Sequence, residues 1–243
     1  MMGRCIVAGG NPDMAAPVTD ILASDLAVGS TVKLMEGGVA VEYLVVNQGK
    51  PSGSSLYDDS CDGLWLLRKD IIEKRAWETD IVNKLESSDI HSWLNYTMLA
   101  KYDTNIQKAI KQVKIPYRKN GGSDGSNQDG ANGLSCKVFL LSGYEVGWNT
   151  RTNSYFPLDG AVLDYFKGTA STDAKRISYL NGTATSWWLR SPYTKNTFNV
   201  FHVFYDGDYS HDGSNYSCGV RPALVLPSDA LFNKNTLIFK GVA

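Results

Sequence analysis

Ser186-Trp-Trp-Leu-Arg-Ser-Pro192 and Cys218-Gly-Val-Arg-Pro-Ala-Leu-Val-Leu226 are apolar runs with one arginine each, and the 25 residues between them are of another kind. From Tyr193 to Ser217 the chain carries four Tyr, three Phe, three Asn, three Asp, three Ser, two His, two Gly, two Thr, two Val and one Lys, with no Leu, Ile, Met, Ala, Glu, Gln or Arg. The flanks read as core strands of a rigid frame, with Arg190 and Arg221 expected to find carboxylate or carbonyl partners. The insert reads as a recognition surface. Tyr gives a large, stiff contact area at small entropic cost, and Ser, Asn, Asp and Gly give adaptable hydrogen bonds. A plain hairpin with a polar loop is the alternative, because Asp206-Gly207 and Asp212-Gly213 are both turn signals. So many Asn, Asp and Ser would be costly in a core, which favours the contact reading.

Upstream, Thr31 to Glu36 and Val39 to Asn47 are β-rich runs around Gly37-Gly38, a hairpin signature, and Leu64-Trp-Leu-Leu-Arg68 is a further strand. Caps followed by apolar periodicity predict short helices over Asp70 to Glu78, from Ser88 or Asp89 through His91 to Leu99, from Thr104 to Val113, and over Thr172 to Leu180. Gly121 to Gly133 holds five Gly and no large apolar side chain, so a solvated loop is expected there. The chain re-enters the core at Lys137 to Ser142, and Ser186 to Arg190, Asn199 to Tyr205, Gly219 to Leu226 and Thr236 to Phe239 read as strands. Strands at both ends and helices in the middle, without strand-helix alternation, predict an α+β class, mainly antiparallel strands with a few short helices. Residues 1–28 are rich in Gly, Ala and Pro and read as a loosely structured lead-in, with 29–243 a single domain.

Several chemistries lose support from the residues themselves. With 24 basic against 25 acidic residues the chain has net charge −1, which supplies no field for nucleic acid or an anionic membrane. No run of 18 apolar residues exists and residues 1–17 lack a continuous apolar h-region, so neither membrane insertion nor a signal peptide is expected. Cys5, Cys61, Cys136 and Cys218 are widely spaced, with no C-x-x-C and no His at zinc-ligand spacing. Only His91, His202 and His211 could serve a nucleophile as base, no G-x-S-x-G elbow is present, and the glycine pairs do not lead into phosphate loops. Alternating oxygen side chains at Ser123, Asp124, Asn127, Asp129 and Asn132 lack the closing Glu of an EF-hand and read as a polar loop. No catalytic residue, metal or cofactor is expected.

Trp187-Trp-Leu-Arg-Ser-Pro192, Asp206-Gly207 and Gly219-Val-Arg-Pro-Ala223, with Tyr43-Leu-Val-Val-Asn47, Trp65-Leu-Leu-Arg-Lys69 and Ser142-Gly-Tyr-Glu-Val146, resemble the C-type-lectin-fold variable proteins of diversity-generating retroelements, as found in human gut bacteria, their phages and prophages. The likeness covers about residues 25–232. It implies a C-type lectin fold with a hypervariable ligand-binding region at 193–217, where adenine-directed mutagenesis yields the Tyr, Asn, Asp, His, Ser, Gly, Thr and Phe codons that make up most of this stretch. By resemblance the contact residues are Tyr193, Asn196, Asn199, His202, Phe204, Tyr205, Asp208, Tyr209, His211, Asp212, Asn215 and Tyr216. Some of Val200, Phe201, Val203 and Phe204 must face inward. The calcium-dependent sugar motifs of the fold are not matched, since Asn11-Pro12-Asp13 lies outside the domain and Trp148-Asn149-Thr150 lacks the acid. Nor do Cys136 and Cys218 stand in the cysteine motif of formylglycine-generating enzymes.

The resulting expectation is a non-enzymatic receptor-recognition protein for a macromolecular ligand, a cell-surface protein or glycan, on a phage tail (virion) or bacterial surface. A homo-oligomer or assembly into a tail fits that role. A glycan-acting hydrolase and a structural tail component are the alternatives.

Overall fold

A computed structural model of the chain describes residues 20–51, 55–148, 155–170 and 173–243. Two five-stranded sheets form its centre. The first runs Val138–Phe139, Ala223–Leu226, Leu64–Arg68, Val39–Gln48, Thr31–Glu36 and is antiparallel throughout. The second runs Tyr209–Gly213, Asn199–Val203, Trp187–Pro192, Ser217–Gly219, Lys74–Ala76, and its one parallel pairing sets Trp187 against Gly219. A three-stranded sheet of Asp20–Leu22, Ala230–Asn233 and Phe239–Val242 closes one end. The class is therefore α+β, mainly antiparallel, with short helices.

Alternation along the strands sorts side chains into two apolar layers. Leu64, Leu66, Trp188, Val200, Leu224 and Leu226 enter one, with Ile90, Leu94, Met98 and Ile106 from the helical middle. Trp65, Leu67, Trp187, Leu189, Phe201, Val203 and Val225 enter the other. Both sheets are thus covered on both faces at their centres, which explains strands that read as continuous apolar runs.

The hairpin at Gly37-Gly38 forms, both glycines having positive φ (55° and 81°), as a two-residue turn of that hand requires. The helix from Ser88 also forms: Asp89–Trp93 is capped by Ser88 Oγ, which accepts from His91 N, and helical turns continue to Lys101. Thr104–Ala109 is shorter than expected, because Val113–Ile115 leaves the helix to pair with Leu134–Cys136.

Other expectations are corrected. Asp70 to Glu78 is not a helix; Lys74–Ala76 is the edge strand of the second sheet, paired with Ser217–Gly219, and Trp77 is buried. Tertiary pairing overrides the local helical pattern here. Within 121–133, Ser126–Gln128 pairs with Tyr117–Lys119 and Gly122 is buried, so the segment is built into the fold. A Cβ on Gly122 would fall 1.8 Å from the Asn196 carbonyl oxygen, which is why glycine stands there. Ala174–Arg176 is only a 3-10 turn, and Thr172 lies outside the described residues. The lead-in expected over 1–28 is structured from Asp20 onward, with Ala23 and Leu26 in the core; residues 1–19, and with them Cys5 and Asn11-Pro12-Asp13, lie outside the described residues, as do Asn149 and Thr150.

Candidate recognition surface

Trp187–Pro192 is buried at every position, its pairing with Asn199–Val203 is interrupted by an irregularity between Trp188 and Pro192, and Arg190 within that interval is buried. All five guanidinium donors of Arg190 are used. Nε donates to Pro116 O (2.9 Å), Nη1 to Leu140 O (2.9 Å) and Glu145 Oε2 (2.6 Å), and Nη2 to Glu145 Oε1 (2.7 Å) and Asp159 O (2.6 Å). Ser191 Oγ donates to Asp159 Oδ2, and burial pushes the Asp159 carboxyl up to about 7. Both tryptophan N–H groups are also satisfied, Trp187 by Arg176 O and Trp188 by Arg75 O. Arg221 donates to Arg68 O and stacks on Trp187, so both arginines have the structural roles expected of them.

From this clamped strand the chain turns into a hairpin. Asn83 holds the turn's underside, donating from Nδ2 to Asn196 O and Asn199 O, while Asn196 Oδ1 accepts from Phe198 N and Asn199 N. At the tip, Gly207 has φ +88° and sits against the Asp173 backbone, where a Cβ would approach the carbonyl oxygen to 2.4 Å. The returning strand Tyr209–Gly213 is the edge of the sheet, and all five of its residues are partly buried.

One face of this hairpin presents an aromatic cleft. Tyr155, Tyr193, Phe201, Tyr209 and His211 line a cavity of about 370 Å³. The Tyr193 and His211 rings stack at 4.3 Å, and Tyr155 meets Tyr193 edge-on at 5.2 Å. The cleft's floor continues into the core, where Phe156 stacks on Phe201 at 3.7 Å and packs with Trp148 against Tyr209. Asn199 Nδ2 donates to His211 Nδ1 (3.1 Å), which leaves the proton of the neutral ring on Nε2. Lys195 lies over the Tyr155 ring at 5.1 Å and adds a cation at the rim. Such a cleft offers ring faces, ring edges and a few oriented polar groups, the chemistry of a binding pocket.

The opposite face is narrower and polar. His202 Nε2 lies 3.1 Å from Asp212 Oδ2 and Nδ1 lies 3.3 Å from Val203 O, while Trp188 meets the imidazole edge-on. Cys218 is close by, with its thiol, the imidazole and the carboxylate within 4.8 Å of one another. Burial pushes the Cys218 thiol up to about 12 and the His202 imidazole down. Both ring nitrogens face oxygens, so neither is turned to the sulfur as the base of a nucleophilic pair must be.

Of the twelve expected contact residues Tyr205, Asn215 and Tyr216 are exposed, eight are partly buried, and His202 is buried at 1%. It is corrected here to a buried residue, pointing opposite to Phe201 because the strand alternates. Tyr193, Tyr209 and His211 come together in the cleft with Asn199 at its margin. Tyr205, Asn215 and Tyr216 are exposed, Phe204 packs on Tyr205, and Asp208 turns its carboxylate to Tyr209 N. Asn196 shapes the turn as well as showing a partly exposed surface. Tyr155, Phe156 and Trp148 were missed. The four aromatics between Tyr144 and Phe156 were the available signal.

Residues 62–228 match the family described as Domain of unknown function (DUF6273). The chain belongs to that family. The DUF6273 match begins just before Leu64–Arg68 and ends just after Ala223–Leu226, so it contains the second sheet, the aromatic cleft and the His202 cluster entire. Neither a curated protein nor a solved structure matches the chain.

Proposed function

We propose that this DUF6273 protein is a recognition protein, holding the cleft between Tyr155, Tyr193, Tyr209 and His211, with the exposed Tyr205 and Tyr216, toward a macromolecular ligand such as a cell-surface protein or glycan. The observation that supports the reading most is the juxtaposition, in one sheet, of a fully buried strand and a partly exposed edge strand that borders the aromatic cleft. A frame already fixed loses little ordering entropy on binding, and tyrosine rings with neighbouring Asn, His and Lys supply burial and direction. The finer reading is a C-type lectin scaffold with residues 193–217 as a retroelement-diversified region on a phage tail or bacterial surface, and it rests on the tryptophan and Gly-Val-Arg-Pro-Ala motifs.

The protein and its Tyr193→Ala/His211→Ala variant are applied to arrays of bacterial surface glycans and surface proteins. The reading expects at least one ligand bound by the wild type and lost in the folded variant. Ligands held equally by both place recognition elsewhere. For the finer reading, a nearby reverse transcriptase with an imperfect repeat of codons 193–217, mismatched at adenines, is the expected genomic sign.

A further inference from the structure

On the hidden side of the hairpin, His202, Asp212 and Cys218 bring one nitrogen, one oxygen and one sulfur donor together from three different strands or strand ends. The imidazole is caught between two acceptors. A neutral ring carries one proton, which cannot serve both Val203 O on Nδ1 and Asp212 Oδ2 on Nε2. With the proton on Nδ1, donated to Val203 O, the Nε2 lone pair points at a carboxylate oxygen 3.1 Å away. Two lone pairs so placed repel unless a proton or a metal cation lies between them, and with the ring proton on Nε2 instead it is Nδ1 that faces Val203 O without one. The N–H to backbone carbonyl bond is also the support that a metal-bound histidine ordinarily has.

We propose that His202 Nε2, Asp212 and the Cys218 thiolate form a site for one divalent transition-metal ion of the zinc class. A tetrahedral zinc with bonds of about 2.0–2.3 Å places its ligand atoms roughly 3.3–3.7 Å apart. The imidazole and carboxylate stand at nearly that spacing, and the sulfur, within 4.8 Å, reaches it by a side-chain adjustment of about an ångström. One nitrogen, one carboxylate oxygen and one thiolate are donors that suit zinc better than magnesium or calcium. On binding, the thiol proton leaves to solvent and the sulfur lone pair forms the metal bond. An entry route exists. Cys218 lines an open cleft of about 310 Å³ with Lys74, Ser186, Tyr205 and Ser217, and the Asp212 side chain is 48% exposed. The fourth position falls to water. The ion would tie the edge strand Tyr209–Gly213 to Ser217–Gly219 across the sheet, fixing the hairpin from behind while its other face stays clear.

Cobalt(II) is titrated into chelator-treated protein and followed by absorption. The expected result is one equivalent bound, a thiolate-to-cobalt charge-transfer band in the near ultraviolet, visible bands of tetrahedral intensity, and displacement by zinc. Cys218→Ser, close to isosteric, loses the charge-transfer band, and Asp212→Ala, at a half-exposed position, weakens cobalt binding about tenfold or more. Zinc raises Tm in the wild type and not in either variant. Absence of the charge-transfer band, its survival in Cys218→Ser through another thiol, or an equal zinc effect on Tm in wild type and Asp212→Ala overturns the site.

Discussion

Trp187–Pro192 and Tyr209–Gly213 lie in the same sheet with only Asn199–Val203 between them, yet the first is buried at all positions and the second at none. The difference comes from what lies beyond each strand. The first is gripped by the Glu145–Arg190 pair and by tryptophans that donate to backbone carbonyls, so its buried side-chain N–H donors are answered. The second has a single neighbour in the sheet and borders the aromatic cleft. Stability and accessibility are separated within about two strand spacings, roughly 10 Å.

That separation can be broken from the clamped side. Arg190→Ala should cost about 3–5 kcal/mol, because it leaves the buried Glu145 carboxylate without its partner; urea unfolding measures it, and a loss under about 1 kcal/mol would show that the clamp is not what holds the strand. Next in size is Tyr209→Ala, expected to cost about 1–3 kcal/mol since its ring packs on Trp148, Phe156 and Phe201 while remaining half-exposed. Of the edge residues it is the one whose loss should be felt in the core.

A further effect depends on pH. The Asp159 carboxyl titrates near its ordinary 3.8 when unfolded and, through burial, at about 7 when folded. Between those values the folded chain holds the extra proton, so this group's contribution falls as pH rises from about 4 through about 7. Asp159→Asn should remove that decline, and unfolding curves for both proteins across the window test it. An identical slope in the two would mean the buried carboxyl does not titrate there. Smallest of all, Tyr205→Ala and Tyr216→Ala should each shift stability by about 0.5 kcal/mol or less, these rings being 53% and 63% exposed. Thermal melts that drop as far as for Tyr209→Ala would move them into the frame.

Much of this was legible in the residues. Gly37-Gly38 between two β-rich runs, and the apolar flanks around 193–217, led directly to strands because the turn chemistry and the apolar runs point the same way. The Asp70 to Glu78 stretch did not, since its fate is set by Ser217–Gly219, more than 130 residues later in the chain. His202 was misplaced for a related reason: Val200, Phe201, His202 and Val203 are all buried, and a strand covered on both faces gives no alternation from which to read a phase. The edge-on contact of Tyr155 with Tyr193 joins segments 38 residues apart, and composition alone does not pair them.

One connection sets a limit on how this molecule can vary. The chain leaves the second sheet at Gly219 and enters the first at Ala223, one strand in from its edge, with only Val220, Arg221 and Pro222 between. Those three residues act as a ruler. Adding or deleting one would turn Leu224 and Leu226 into the layer that now receives Val225, inverting the whole strand. Between the two sheets, then, an insertion or deletion reaches every side chain of the strand that follows, whereas a substitution touches one position.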